Sequence, residues 1–196
     1  MNKILYLAFL LLGASGLRAQ GGLFSMTYDL SFPMGETRDI VSKTSWRGGT
    51  LVDGRAFLSD QISLGGSFGW HVFTSKEEGT FEAGNTTASG TLVRTINAFP
   101  LMATGHYYFG SDIEPNPYIG LGIGTTSVTT QTDFGLFTDK TNAWEFAIAP
   151  QVGVLVPINY NVHGHVKLTY HHAFQAGDAR FSTSYLSLGI GLAWYH

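Results

Sequence analysis

The sequence has no cysteine and little charge. Without cysteine, disulfide bonds, thiol catalysis and a lipid-modified N-terminal cysteine are all excluded. Lys, Arg, Asp and Glu make up 13% of the 196 residues, whereas ordinary soluble domains contain about 25%. Neither a basic stripe nor a zinc-finger or RNP-like spacing is present, so nucleic acid is not an expected partner. A chain of this length lacks the charge to cover a water-facing surface.

Long apolar runs are also missing. After the N-terminal segment, no run approaches the roughly 18 apolar residues that a spanning helix needs. A chain too apolar for water and without membrane helices points to a transmembrane β-barrel, the other structure that satisfies its backbone hydrogen bonds within lipid.

The N-terminal segment has the pattern of a secretory signal peptide. Lys3 precedes a short apolar run over residues 4–12, and small residues follow up to a cleavage site after Ala19 or Gln20. We therefore expect residues 1–20 to be a cleaved signal peptide and residues 21–196 to form one outer-membrane β-barrel domain.

Alternation of apolar and polar residues identifies the strands. In "FSMTYDLSF" the apolar residues run from Phe24 to Phe32, and Ser25, Thr27 and Asp29 lie between them. Comparable segments are "TSWRGGTLVDGRAFL", "ISLGGSFGWHVF", "LVRTINAFPLMATGHYYF", "PYIGLGIGTT", "AWEFAIAPQVGVLV", "VHGHVKLTYHHAF" and "SYLSLGIGLAWYH". The sequence thus predicts an all-β fold, an eight-stranded antiparallel up-and-down transmembrane β-barrel.

In the segment "LVRTINAFPLMATGHYYF", the apolar residues change from even to odd positions. Leu92 and Ile96 occupy even positions, whereas Phe99 and Leu101 occupy odd ones, and Pro100 lies at the switch. A bulge at Pro100 would re-register this strand.

The connectors support the same fold. "SDQ", "GSDIEPN" and "PINYN" are short, and they alternate with the longer polar "GETRDIVSK", "SKEEGTFEAGNTTAS", "TQTDFGLFTDKT" and "QAGDARFST". Short periplasmic turns alternating with long extracellular loops are typical of outer-membrane barrels. The acidic loop with Glu77, Glu78 and Glu82 could bind a surface partner or divalent cations, and its "NTT" at Asn85 has little weight as a glycosylation site.

The signal peptide, "PYIGLGIG" and the closing "SYLSLGIGLAWYH" resemble the small eight-stranded outer-membrane barrels of Gram-negative bacteria, the OmpX/OmpA type of the outer membrane protein beta-barrel domain family. The resemblance implies a monomer in the outer membrane, in contact with lipid and lipopolysaccharide and inserted by the barrel assembly machinery. The family usually ends on an aromatic residue, whereas this chain ends on His196. Trp194 would have to supply that signal.

The barrel interior is the first place to look for chemistry. Strand parity predicts that Arg47, Arg55 and Lys167 face the lumen together with Asp29, Asp53 and Glu145. A narrow lumen with balanced charge favours a hydrogen-bonded plug over a proton or ion path.

The histidines suggest two further sites, neither of which is well supported. His163, His165 and His171 share one strand face, but a zinc site needs further ligands, and none is identifiable. His171, His172, Asp178 and Ser182 lie near the outer rim, where a lipid-modifying or proteolytic enzyme would place its catalytic groups. Lipopolysaccharide deacylases carry a serine two residues after the histidine, whereas Ala173 and Phe174 occupy those positions here. We therefore expect no catalytic residue, no metal and no cofactor.

The glycine run of "PYIGLGIGTT" resembles a phosphate-binding loop only superficially. The third glycine, Gly124, comes one residue too early for the dinucleotide fingerprint, and no helical pattern follows. We expect Gly120, Gly122 and Gly124 to face the lumen and leave room for bulkier neighbours.

The sequence thus favours a non-enzymatic outer-membrane barrel with a structural role or a surface-interaction role through its loops. The alternatives are an outer-membrane lipid-modifying or proteolytic enzyme with residues at the rim, and a secreted lipocalin-like binding barrel.

Overall fold

The computed structural model describes residues 21–41, 44–83, 86–110, 114–134, 137–177, 179 and 181–196, so the predicted signal peptide lies outside the described residues. The strands are β1 (Gly22–Met34), β2 (Thr44–Ser59), β3 (Ile62–Ala83), β4 (Thr86–Tyr108), β5 (Asn116–Phe134), β6 (Phe137–Pro157), β7 (Val162–Phe174) and β8 (Thr183–Tyr195), and a short helix α1 (Gly35–Ile40) follows β1. The described residues include no helix that could span a membrane.

The eight strands form a closed barrel in the order β1 to β8. Every neighbouring pair is antiparallel, and β1 closes on β8 with a register from Leu23 opposite Tyr195 to Met34 opposite Ser184. Closure pairs the outer edges of the first and last strands, which is what a sheet within lipid requires. The predicted fold class is confirmed.

The outward face is apolar, as the alternation predicted. Along β1, every second residue from Phe24 (44% exposed) to Met34 (42% exposed) points outward. Ten residues span about 33 Å along the strand, or about 25 Å of height at a tilt near 40°, the height of the apolar band of outer-membrane barrels. A soluble lipocalin-like barrel would instead place these side chains inside.

Aromatic pairs lie towards both ends of this face. The ring centroids of Phe24 and Trp194 are 6.0 Å apart near the end that carries both termini, here called the lower end. Trp70 and Phe99 stack at 6.0 Å nearer the opposite, upper end. Such rings are enriched where lipid headgroups meet water.

Three short turns connect strands at the lower end, and side chains close each of them. Ile62 N donates to Ser59 Oγ at 3.2 Å, Gly110 N donates to Asn116 Oδ1 at 2.9 Å, and Val162 N donates to Asn159 Oδ1 at 2.9 Å. These are the turns expected from "SDQ", "GSDIEPN" and "PINYN".

The glycine run of β5 lies in the wall of the barrel. Ile119, Leu121 and Ile123 are about half exposed, and the glycines between them face inward. A Cβ on Gly120 would lie 2.6 Å from His106 Cδ2 and 3.0 Å from Gln151 Cγ. The missing side chain therefore makes room for two larger lumen residues, as expected.

The prediction of a bulge at Pro100 is wrong. The pairing of β4 with β5 runs without a shift from Leu92 opposite Phe134 to Tyr108 opposite Tyr118. Leu92 (9% exposed) and Ile96 (0%) point into the barrel. The apparent phase change arises because the upper part of the lumen is apolar inside as well as outside.

Two of the four long connectors are mostly strand. "SKEEGTFEAGNTTAS" forms the ends of β3 and β4, which pair as far as Ala83 opposite Thr86. "TQTDFGLFTDKT" forms the ends of β5 and β6, which pair as far as Phe134 opposite Phe137. These extensions are rich in β-branched threonine, so they favour strands although their apolar alternation is weak.

Candidate functional site

The lower part of the lumen is a polar cluster built around Arg55. The Arg55 side chain donates from Nε to Asp53 Oδ1 at 2.6 Å and from Nη1 to the Tyr108 hydroxyl at 2.7 Å. Its guanidinium carbon lies 4.8 Å from the ring centroid of Tyr118, whose hydroxyl is hydrogen-bonded to His165 Nε2 at 2.7 Å. A buried guanidinium is stable here because a carboxylate and hydroxyl oxygens satisfy its donors.

The middle of the lumen is organised by Asp29. Asp29 is hydrogen-bonded to His71 Nε2 at 3.0 Å and accepts from the Thr27 hydroxyl at 2.7 Å. The other nitrogen of His71, Nδ1, is hydrogen-bonded to the Tyr185 hydroxyl at 3.2 Å. A Cβ on Gly189 would lie 2.6 Å from Asp29 Oδ1 and 3.0 Å from Lys167 Cε. Gly189 therefore leaves the space in which a buried lysine and a buried aspartate approach one another.

The upper part of the lumen is closed by apolar side chains. This group, which we call the apolar plug, consists of Val41, Phe73, Ile96, Ala98, Val128 and Tyr185, and Ile40 and Phe181 pack against it. Val41 follows α1 directly, so the segment after β1 turns inward and covers the mouth of the barrel.

Polar contacts hold α1 on β8. Ser184 N donates to Thr37 Oγ1 at 2.8 Å, and the backbone N–H and hydroxyl of Ser182 donate to Glu36 Oε2 at 2.7 and 2.8 Å. These two hydrogen bonds, the backbone one first, lower the pKa of Glu36 because they stabilise its ionised form.

The lumen charges are as predicted at five of six positions. Arg55, Lys167, Asp29, Asp53 and Glu145 are all less than 5% exposed. Arg47 is the exception, because it is exposed and its guanidinium carbon lies 4.8 Å from the ring centroid of outward-facing Phe32. Arg47 is paired with Phe73, which belongs to the apolar plug. An inward-pointing Arg47 would therefore place its charge among apolar side chains.

The rim residues suspected of catalysis do not assemble. His171 is buried and stacks on Tyr185 at 4.6 Å, whereas the Ser182 hydroxyl donates to Glu36. Asp178 lies outside the described residues. Sequence reasoning missed that His172 Nδ1 is hydrogen-bonded to Ser184 Oγ at 2.7 Å. No carboxylate contacts His172 within the part of the chain that the structure describes.

The paired histidines of β7 have separate partners. His165 is bonded to Tyr118, and the ring of His163 lies 4.7 Å from that of Tyr195. Among the described residues, no group of three or more His, Asp or Glu side chains is arranged to hold a metal ion.

A largely polar sheet continues the wall of the barrel upward, and its lowest residues, such as Val128 and Glu145, still face the upper lumen. It consists of residues 76–83 of β3, 86–94 of β4, 126–134 of β5 and 137–145 of β6, and we call it the upper sheet. The pairing of β2 with β3 ends at Thr44 opposite Ser75, and that of β6 with β7 ends at Phe146 opposite Phe174. In the described ladders, β3 therefore continues for about 26 Å and β6 for about 30 Å without a neighbour on the outer side.

The upper sheet carries exposed charges. Lys76 Nζ and Glu78 Oε1 are 3.2 Å apart. Asp133 accepts hydrogen bonds from the Thr138 hydroxyl at 2.7 Å and from Gln131 Nε2 at 2.9 Å, and both, Thr138 first, lower its pKa. Such a surface is suited to contact with water or with a polar partner rather than with lipid.

No known protein-family profile and no curated protein sequence matches this chain. Solved structures are similar. They include Ail, the attachment invasion locus protein of Yersinia pestis, solved with the heparin analogue sucrose octasulfate (12% identity, TM-score 0.54, 90% of this chain and 99% of that chain). The N-terminal β-barrel domain of Pseudomonas aeruginosa OprF has 10% identity and a TM-score of 0.53, and the match covers 91% of this chain and 100% of that chain. The outer membrane protein OprG of Pseudomonas aeruginosa has 12% identity and a TM-score of 0.53, and the match covers 91% of this chain and 96% of that chain. At these identities the likeness shows the fold alone, which is that of small eight-stranded outer-membrane barrels, as the sequence predicted.

Proposed function

We propose that this chain is an outer-membrane barrel that binds a surface partner through its upper sheet, and that its lumen is structural rather than catalytic or conducting. The proposal rests on the unequal lengths of neighbouring strands at the upper end of the barrel. β3 and β6 continue about 26 and 30 Å past their neighbours, which leaves two strand edges able to pair with another chain. The barrel lies with its upper end outside the cell and its termini in the periplasm.

We also propose which membrane components and which assembly machinery the barrel contacts. The exposed apolar band contacts lipid, the upper aromatic residues contact lipopolysaccharide, and the barrel assembly machinery inserts a monomer. The apolar belt and the closed ladder support this arrangement. A folded barrel should migrate differently on a denaturing gel before and after heating, and identical migration would contradict it.

The charge of the upper sheet indicates which partners fit. Acidic residues outnumber basic ones in its two hairpins, with Glu77, Glu78, Glu82, Asp133, Asp139 and the buried Glu145 against Lys76, Arg94 and Lys140. A polyanion such as the sucrose octasulfate solved with Ail would be repelled. We therefore propose a neutral or basic polypeptide segment that adds to a strand edge, and we expect no retention on immobilised heparin at physiological salt.

Truncation of one hairpin tests this function. Residues 78–91 would be replaced by Asn-Gly, so that Glu77 and Leu92, which are directly opposite, flank a two-residue turn. A matched variant would replace residues 131–140 in the same way between Thr130 and Thr141. Random peptides displayed on phage would be selected on the wild-type barrel in lipid nanodiscs and then tested on both variants.

We expect the selected peptides to lose roughly tenfold or more in affinity for one variant and little for the other, because each truncation shortens only one of the two edges. Heat-dependent migration should be unchanged in both, because the barrel ladders below remain. Peptides that bind all three proteins equally would contradict the proposal.

The hydrogen bond between His172 and Ser184 favours a second candidate, acyl hydrolysis at the outer leaflet. A histidine within hydrogen-bond reach of a serine is the minimal arrangement for an activated nucleophile. However, catalytic serine–histidine pairs are oriented by a third, polar group, usually a carboxylate, and no carboxylate contacts His172 in the described part of the chain. Mass spectrometry of outer-membrane lipids from cells with wild-type protein and with Ser184→Ala should give identical profiles, and a lost deacylated species would establish the enzyme.

A further inference from the structure

A small cavity lies in the middle of the lumen, between the Arg55 cluster and the residues around Asp29. Its volume is about 10 Å³, which is close to the smallest space that holds one water molecule. Charged and polar side chains form much of its wall, among them Asp53, Thr104, Lys167, Thr169 and His171. The cavity can therefore hold one small polar occupant.

Lys167 brings a positive charge to this cavity without a direct partner. The residue is buried, at 2% exposed. Within the described part of the chain, its ammonium group makes no hydrogen bond, and no carboxylate oxygen lies within 4.0 Å of it. Asp29 and Asp53 attract it electrostatically from a greater distance. Buried charges are normally paired and hydrogen-bonded, and a polar contact of this length is often bridged by water.

Other polar atoms of the same wall also lack a partner. Thr104 Oγ1, Thr169 Oγ1 and both ring nitrogens of His171 are buried and make no hydrogen bond to a described residue. All three residues are 5% exposed or less. Buried polar atoms are almost always hydrogen-bonded, either to protein or to ordered water. Several such atoms around one cavity therefore point to an occupant that can hydrogen-bond.

An ion does not fit this wall. A second cation would be repelled by Lys167, and the described residues contain no group of three or more His, Asp or Glu side chains arranged to hold a metal ion. An anion would meet the carboxylate of Asp53, which lines the same cavity. The buried cations Arg55 and Lys167 are already matched by the buried carboxylates of Asp53 and Asp29. The occupant that fits is a neutral molecule that both donates and accepts hydrogen bonds.

We propose that one buried water molecule occupies this cavity and bridges the Lys167 ammonium to the Asp53 carboxylate. It accepts a hydrogen bond from Lys167 Nζ and donates one to Asp53. Its second hydrogen and second lone pair serve the hydroxyls of Thr104 and Thr169, each of which can donate or accept. Such a bridge is enthalpically nearly as good as a direct hydrogen bond, so it satisfies a lysine that no side chain reaches.

This water joins the two polar clusters of the lumen. Asp53 belongs to the cluster around Arg55, and Lys167 lies beside Asp29, since a Cβ on Gly189 would contact the side chains of both. One connected network therefore crosses the barrel and keeps it closed at mid-height. The inference does not depend on partner binding at the upper sheet, which involves other residues.

Nuclear Overhauser spectroscopy on the whole barrel in lipid nanodiscs would detect the water. Alanine and methionine methyl groups would be labelled, because Ala149 and Met102 line the cavity and their methyl protons do not exchange with solvent. We expect both methyl groups to give cross-peaks at the water frequency, with the sign of a long-lived molecule. Ala147 is buried on the same strand at 1% exposed but does not line the cavity, so it should give none.

Two variants test what holds the water. Lys167→Met keeps an unbranched side chain but removes the charge-assisted hydrogen bond, and Ala149→Val keeps Lys167 but fills the cavity. Either change should abolish the cross-peak at Met102. Ser31→Ala removes a lumen hydroxyl that is bonded to Ser187, outside the cavity, and should leave both cross-peaks unchanged. Heat-dependent migration would show that each variant is folded.

Three results would overturn the proposal. Wild-type methyl groups without cross-peaks would show that no long-lived water is bound. A cross-peak that persists in folded Lys167→Met would show that the ammonium group does not hold the water. Saturable shifts of the Met102 and Ala149 methyl groups with sodium chloride, but not with sodium gluconate, would show that an anion occupies the cavity.

Discussion

Two ion pairs show how differently the lumen and the upper sheet are built. In the lumen, Arg55 and Asp53 lie 2.6 Å apart with side chains 0% and 1% exposed. In the upper sheet, Lys76 and Glu78 lie 3.2 Å apart with side chains 56% and 73% exposed. The first pair is fixed by further bonds within a closed interior, whereas water competes for the second. The lumen residues should therefore determine stability, and those of the upper sheet should determine what the surface can bind.

The largest expected effect is the loss of Arg55. Arg55→Ala leaves the Asp53 carboxylate buried without its partner, which should cost about 3–5 kcal/mol in the free energy of unfolding. Lys76→Ala removes one member of the exposed pair and should cost less than about 1 kcal/mol. Urea titration of both variants in lipid vesicles, followed by tryptophan fluorescence, measures the difference. Equal losses would remove the distinction between the two regions.

A smaller loss is expected when the lumen is overfilled. Gly189→Ala places a methyl group within 2.6 Å of Asp29 Oδ1, which should cost about 1–3 kcal/mol because neither charged side chain can withdraw easily. Gly54 provides the matched control, since a Cβ there would meet no atom within 4 Å. If Gly54→Ala destabilised the barrel as much as Gly189→Ala, the tight fit at Gly189 would not be the cause.

The closure of the upper end by α1 should depend on Thr37. Thr37→Ala removes the acceptor for Ser184 N, and a lost hydrogen bond of this kind costs about 1 kcal/mol. Amide hydrogen exchange of residues 35–41 should accelerate, whereas that of β3 should not change. Arg38→Ala alters an exposed neighbour, and if it accelerated exchange equally, the effect would not be specific to the bond.

The smallest effect is a pH dependence of the same contact. The pKa of Glu36 is lowered below its ordinary value of 4.5 by Ser182. The contact therefore stabilises the docked segment fully above that value and is lost as the pH falls through the lowered pKa. The Ser182 amide resonance should shift with acid in the wild-type protein and not in Glu36→Gln. A shift that persists in the variant would assign the titration to another group.

Alternation along single strands was enough to predict the fold, the outward face and most of the lumen. It failed where side chains of distant segments decide the outcome. Ile96 is apolar yet faces inward because Val41 and Tyr185 meet it there, and no pattern within β4 shows this. Arg47 has lumen parity but is exposed at the rim against Phe32.

The upper sheet was missed for a different reason. Residues 126–134 and 137–141 contain several threonines and are polar on both faces, so the period-two signal that marks a membrane strand is weak there. Glu145 and Phe181 line one narrow cavity although they are 36 residues apart in sequence, and alternation within β6 cannot show this neighbour.

A recording of ion conductance across a planar bilayer tests the central claim most directly, because that claim places all function outside a closed lumen. With the purified barrel inserted, the apolar plug and the Arg55 cluster predict no stable unitary conductance at either sign of applied voltage. Stable openings in the nanosiemens class would contradict the account and would make the lumen, rather than the upper sheet, the functional part of the molecule.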